Sequence, residues 1–230
     1  APYFFKERSL VEKIRLLVRY FDTWTKSFGV KMEVSQAVMQ RKSIRGFLPT
    51  PVEDELLSSL LDKAARAPSG GNVQPWRIYV INDNRMSDFK SHINEFPLEE
   101  PEYPIYPPKL QEPYRTNRYD LGEEMYSLLG IPRDDKPARL ANMSKNYDFF
   151  GAPAAFFCFV DRSMGSAQWS DLGMFLQTFM LLAEESGLGT CAQEAWAMHQ
   201  KAVSMFVKSP VNEMLFCGMS IGYPDWKQPV

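Results

Sequence analysis

The chain has 230 residues, 45% of them hydrophobic and 13% aromatic, which places it in the globular class with ample material for a core. Its 26 basic and 28 acidic side chains leave a net charge of -2, removing the electrostatic reason to expect nucleic acid or an anionic membrane as main partner. Three scattered cysteines (Cys158, Cys191, Cys217) with no Cys/His ligand spacing indicate neither a disulfide framework nor a metal site, and the expected setting is reducing and cytoplasmic.

Along the chain, residues 1–34 read as an amphipathic helical extension. Leu10, Ile14, Leu17, Val18, Phe21 and Trp24 recur at helical spacing with charges between them. The charge is too high for a secretory signal, and Glu7, Glu12 and Asp22 argue against a transit segment. Packing on the body or on a partner subunit is the expectation. No apolar run reaches the ~18 residues of a membrane span. Residues 35–230 then form one domain.

That domain opens on "QRKSIRGF", where Arg41, Lys42, Ser43 and Arg45 place three cations and a hydroxyl in five residues. In an extended chain 41, 43 and 45 project to one side, so two guanidinia and a hydroxyl can converge on a phosphate; alone, the run also fits a solvated basic turn. "LPTPVEDELLSSLLDKAARA" predicts a helix capped by Thr50, with Pro51 at its first position and Glu53 closing a capping box. "RAPSGGNVQPWRIYV" follows, passing from helix into strand through Pro68, Ser69, Gly70, Asn72 and Gln74. Glycines there permit close backbone approach to a ligand, and the two amides bring donors and acceptors, although a helix-to-strand turn would contain some of them too.

Residues 97–119 hold six prolines and four tyrosines and predict an ordered surface excursion without regular structure. "GEEMYSLLGI" reads as a short helix and "RDDKPARLANMSKNYDFF" as a polar connection containing another. "APAAFFCFVD" is a nearly continuous apolar strand of the kind buried on both faces. In "SDLGMFLQTFMLLAEESGLGT" a buried helix starts at Ser170 and ends at Gly187. "GLGTCAQEAW" reads as a link carrying Gln193 and Glu194, "AMHQKAVSMFV" as a helix, and "EMLFCGMSIGYP" as a last strand. His92 and His199 read as ordinary surface or packing residues.

Taken together, the ordered motifs resemble the FMN-dependent nitroreductase family from about Met39 to the C-terminus. They are Arg-x-Ser-x-Arg (Arg41, Ser43, Arg45), Ala67 to Trp76, the strand after Gly151-Ala-Pro153, the "DLG…Q…LLA…GLGTC" helix, and the late "GMSIGYP" strand. The resemblance implies an α+β (α/β/α) fold, a mixed central sheet flanked by helices, in an intertwined homodimer with FMN at the interface. It implies that Arg41, Lys42, Ser43 and Arg45 hold the FMN phosphate and ribityl chain. Pro68, Ser69 and Gly70 would lie against the isoalloxazine from the partner chain, with Asn72 reaching the flavin or substrate and Gln74 beside it. Gln193 and Glu194 would cross the ring near N5. A basic residue usual in the family after the final strand is represented only by Lys227, so that contact is missing or lies beyond Val230.

The implied activity is two-electron, ping-pong reduction of an electron-poor aromatic, such as a nitroaromatic, by NADH or NADPH. The flavin does the chemistry, so no side chain is assigned as catalytic. Reductive dehalogenation of a halotyrosine is the nearest alternative, with Glu123, Tyr126 and Lys145 as candidate clamps; quinone or enone reduction is another. A non-enzymatic flavin-binding or flavin-consuming protein is the alternative of a different class.

Overall fold

The computed structural model describes residues 32–228; the helix expected at Leu10–Trp24 lies outside them. Four strands, β1 (Trp76–Ile81), β2 (Ala154–Asp161), β3 (Gly189–Gln193) and β4 (Glu213–Gly222), form one sheet in the order β1-β2-β4-β3. Every neighbouring pair is antiparallel, and the parallel component is a single bridge between Ser43 and Thr190. Seven helices accompany them: α1 (Val34–Gln40), α2 (Asp54–Ala64), α3 (Asn84–Ile93), α4 (Tyr114–Leu128), α5 (Lys136–Ser144), α6 (Ser166–Glu185) and α7 (Gln200–Val207). This is an α+β fold.

The architecture follows from β2. Successive side chains of a strand point to opposite faces, so an unbroken apolar strand feeds two cores at once. Phe156, Cys158 and Val160 join the core under α2 and α6, while Ala155, Phe157 and Phe159 join a second core with Phe89, Phe149 and Trp196. Burying one phenylalanine contributes roughly 1.5–3 kcal/mol, so these rings are a large part of what holds the layers together. Trp76 stacks on Phe175 at 5.0 Å and pins β1 to α6.

Several local expectations are corrected. Helix α2 begins at Asp54 with Glu53 as its cap, so Thr50 and Glu53 form no capping box. Thr50–Val52 run ahead of it instead: Val52 is buried and its carbonyl accepts from Asn82 Nδ2 at 2.7 Å, which ties this approach to the end of β1. Helix α6 starts at Ser166, not Ser170, whose hydroxyl turns back to the Ala167 carbonyl. Its other end matches expectation, with Gly187 left-handed at φ 75°. Helix α4 starts at Tyr114 rather than Gly122, because Pro113, the last proline of the excursion, precedes the first turn, where a missing N–H is tolerated. The link "GTCAQ" is strand β3, recruited by pairing with Gly218–Gly222.

The excursion before α4 is ordered against the body as expected. A β-bulge opposite Cys158/Phe159 leaves Phe216 out of register, and the Tyr103 hydroxyl donates to its freed carbonyl while the ring packs on Trp169. Glu102 pairs with Arg162, and the Glu99 carboxylate caps the Lys201 amide at 2.8 Å.

All three cysteines are buried. Burial raises the Cys158 and Cys217 thiols and pushes Cys191 up to about 11, so at pH 8 each is a protonated thiol in a packed core. A maleimide added to native protein at pH 8 should leave all three unmodified on the timescale that labels free cysteine completely. Intact mass after quenching checks this, and rapid stoichiometric labelling would contradict the burial.

Candidate functional site

After α1 the chain extends and runs along the outer edge of β3. The Ile44 amide donates to the Thr190 carbonyl at 2.9 Å, and Ser43 bridges Thr190 in parallel. The approach is close enough to demand glycine at 189, where a Cβ would meet Ile44 Cγ1 at 2.6 Å. Beyond, Leu48 N donates to Tyr223 O at 2.8 Å and Asp225 N to Gly46 O at 3.0 Å, so the C-terminal segment closes the other side. Ile44 packs towards the second core. The alternation of an extended chain sends 41, 43 and 45 the other way. Arg41 and Arg45 flank the Ser43–Ile44 pairing with Thr190, and Arg45 Nη1 donates to the Ser43 carbonyl at 3.4 Å. Among the described residues, no carboxylate lies within 4.0 Å of Arg41, Lys42 or Arg45. Three cations without a protein counter-ion, next to an exposed hydroxyl, are a donor set suited to a phosphate.

At the far end of β3 stand Gln193 and Glu194. The Gln193 side chain is buried and fully used: Oε1 accepts from Ser220 Oγ at 2.6 Å and Trp196 Nε1 at 3.4 Å. Its Nε2 donates to Asn146 O at 2.8 Å and to Asn146 Oδ1 at 3.2 Å. Gln193 therefore offers a neighbouring molecule its main chain rather than its amide. Glu194 opens a 3-10 turn (Glu194–His199), and its charge raises both Cys191 and Tyr103, placing it between strand and excursion. The structure thus brings the first and third sequence constellations together on one strand.

The second constellation is a separate loop. Gly70 N donates to Asp171 Oδ1 at 3.2 Å, fastening it to α6. Ser69 Oγ accepts from Gln74 N at 2.9 Å, and Gln74 Nε2 donates to Asn72 Oδ1 at 2.8 Å. That bond occupies the Asn72 carbonyl and leaves its NH2 to point outward. Asn72 (φ 57°) and Gln74 (φ 50°) are left-handed, and both are exposed. No hydrogen bond among the described residues joins this loop to the other two constellations.

Four residues that matter here, Asp171, Asn146, Ser220 and Tyr103, were not singled out in the sequence, although the proline-tyrosine excursion holding Tyr103 and the NMSKNYDFF stretch holding Asn146 read as candidate pocket walls or lid. Asp171 carried a usable signal, an acid adjoining Leu172 at the core face of an otherwise apolar helix. It is 4% exposed, and its Oδ2 has no partner. The others are ordinary polar residues whose roles exist only in three dimensions. Two of the three residues considered for a halotyrosine clamp, Glu123 and Tyr126, are engaged by Arg139. Both Glu123 oxygens bind Arg139, at 2.6 and 3.1 Å, which holds this carboxyl below its usual range, and the same guanidinium covers the Tyr126 ring at 4.2 Å.

Residues 38–223 match the family model described as Nitroreductase family. The chain is 36% identical over 191 residues to the 4-nitrobenzoate reductase of Pseudomonas putida, covering 82% of this chain and 84% of that protein. It is 34% identical over 205 residues to the nitrobenzene nitroreductase of Ectopseudomonas oleovorans, covering 85% and 88%. Among solved structures, the FMN and NADPH-dependent nitroreductase NfnB from Sphigopyxis sp. strain HMH superposes with a TM-score of 0.81 at 40% identity, covering 85% of this chain and 90% of that one. NfnB from Mycobacterium smegmatis in complex with NADPH gives 0.77 at 25% identity, covering 84% and 90%.

The Gly70–Asp171 bond makes a separable prediction. Gly70 is itself exposed and its amide can turn to water, so losing the bond in Asp171→Ala should cost about 0.5–1.5 kcal/mol in urea unfolding, while Asp171→Asn, which keeps an acceptor, should cost less than half of that. Equal losses in the two variants would refute the role given to this carboxylate.

Proposed function

The chain belongs to the nitroreductase family, and from that premise we propose that it is an FMN-dependent oxidoreductase reducing electron-poor aromatics, nitroaromatics foremost, at the expense of NAD(P)H. The observation that carries this is the seating of the Arg41–Arg45 segment along β3, with no carboxylate partner among the described residues and beside the strand that leads into Gln193–Glu194. Arg41 and Arg45 bind the phosphate by charge-assisted hydrogen bonds, with Ser43 and Lys42 completing the anion site. Two-electron transfer between nicotinamide and acceptor is the chemistry that bound FMN supplies, and it requires no side-chain acid or base. Main-chain N–H groups at Gln193–Glu194 polarise the ring near N5. Pro68, Ser69 and Gly70 give the isoalloxazine a flat wall, and the outward Asn72 amide, set by Gln74, meets the flavin or the acceptor.

That wall comes from a second copy of the chain. Supporting a homodimer, α4 has no buried residue, while Tyr114, Leu121 and Leu128 on it are 64%, 67% and 61% exposed. Val34 and Met39 on α1 are 74% and 82% exposed. Apolar surface on this scale marks a protein interface. Among the described residues no helix is long and apolar enough to cross a membrane.

The purified protein should be yellow and release FMN on denaturation, and sedimentation should give twice the chain mass. Losing one guanidinium–phosphate contact, worth about 1.5–3 kcal/mol, should weaken FMN retention by about tenfold to a hundredfold in both Arg41→Ala and Arg45→Ala. Unchanged flavin content in both variants overturns the phosphate assignment. Turnover should be faster with a nitrobenzoate than with iodotyrosine, and the reverse order overturns the choice of acceptor.

A further inference from the structure

The segment that follows α5 is held in an unusual way. Residues Lys145–Gly151 form a 3-10 stretch in which two consecutive bulky residues, Phe149 (φ 50°) and Phe150 (φ 55°), are left-handed. Bulky side chains are genuine outliers there, so the surrounding structure must over-determine the conformation. One restraint is Phe149, fully buried against Phe89, Phe157 and Trp196. The other is Asn146, whose carbonyl and side-chain oxygen both accept from Gln193 Nε2 while its own Nδ2 donates to Met143 O at 2.8 Å.

We infer that the Gln193–Asn146 clasp sets the position of the α5–Phe150 wall over the strand end that faces the acceptor, making Asn146 a positioning residue that determines acceptor specificity. Hydrogen bonds run without a break from Ser220 on β4 through Gln193 and Asn146 to Met143 in the last turn of α5. Arg139 of the same helix binds Glu123, so α4 moves with α5. The exposed α4–α5 arm therefore takes its placement from a buried amide at the end of the strand that carries Arg41 and Arg45 at its edge. The clasp is neutral throughout, so it fixes geometry without adding charge near the ring. Misplacing a wall by about 1 Å is enough to slow a reaction that depends on alignment by as much as a hundredfold.

This inference rests on the flavin function proposed above, and its test separates the two. In the flavin-loaded homodimer, Asn146→Ala keeps the main-chain acceptor but loses the 3.2 Å side-chain acceptor and the bond to Met143, and it should keep wild-type FMN content yet raise the KM for 4-nitrobenzoate severalfold. Hydrogen–deuterium exchange should show faster exchange confined to residues 143–151. Asn146→Ser, which stays neutral and keeps a side-chain hydroxyl able to accept from Gln193 Nε2, should return KM to within about threefold of wild type, as expected if that contact carries the effect. An unchanged KM with full flavin overturns the inference, whether or not exchange quickens, since a clasp that only stabilises would loosen the segment without moving KM. A rise in Asn146→Ala that Asn146→Ser fails to reduce also overturns it. Absence of FMN from the wild-type protein instead refutes the proposed function.

Discussion

The edge of β3 is the constraint on which the remainder depends. An edge strand presents unpaired N–H and C=O groups, and a protein must cover them or risk association through them. Here β4 takes one side of β3 and the Arg41–Leu48 segment takes the other, through Ser43, Ile44 and Thr190. Covering the edge fixes the register of an extended basic segment, and extended register places alternate residues of Arg-x-Ser-x-Arg on one side of the chain. The requirement for glycine at 189 shows how tight that seating is. The same strand ends at Gln193, with Glu194 next, so one secondary structure element would space the proposed anion site from the proposed main-chain donors.

Around this edge, buried polar groups meet one another in a consistent way. Gln193 is inaccessible, yet every hydrogen-bonding direction of its amide is answered. Leaving a buried amide half-satisfied costs about 1–3 kcal/mol per group, so a network of this kind specifies one arrangement over near alternatives. Tyr103 acts similarly on the opposite side, answering a carbonyl that the β-bulge at Phe216 would otherwise orphan. The bulge is thus what attaches the proline-rich excursion to the sheet.

What was legible in the sequence was whatever depends on local pattern. The continuous apolar run Ala154–Val160, the Leu-rich α2 and the left-handed Gly187 are decided within a few residues, and each appears as expected. Helix starts at Thr50 and Ser170 were misplaced because a competent cap residue does not compel capping. Asn82 claims the approach to α2 by a tertiary bond, and α6 gains a further turn ahead of Ser170. β3 was invisible for a related reason: Gly-Thr-Cys-Ala-Gln has little strand pattern of its own and owes its conformation to β4. The candidate residues were legible as types, since cations, glycines and amides announce a polar ligand. The positions of their side chains were not. Gln193 spends its amide internally, and the residues that position the site, Asp171 and Asn146, are defined only by long-range partners.

Backbone strain discriminates between the two halves of the site. Each left-handed non-glycine residue costs on the order of 1–3 kcal/mol and persists only where its surroundings enforce it. At Phe149 the enforcing agent is visible, a cage of Phe89, Phe157 and Trp196 inside the same subunit. At Asn72 and Gln74 the residues are exposed, and their bonds run to Ser69 and to each other. The loop reaches the body at Gly70, through Asp171, and at Gln74, whose carbonyl accepts from Arg77 Nη1 at 3.4 Å. On the function proposed above, the other surface of this loop is the one a second subunit covers. A second subunit with a planar ring at its edge would supply that cover, and strain held ready in the free loop would then be geometry that binding need not create.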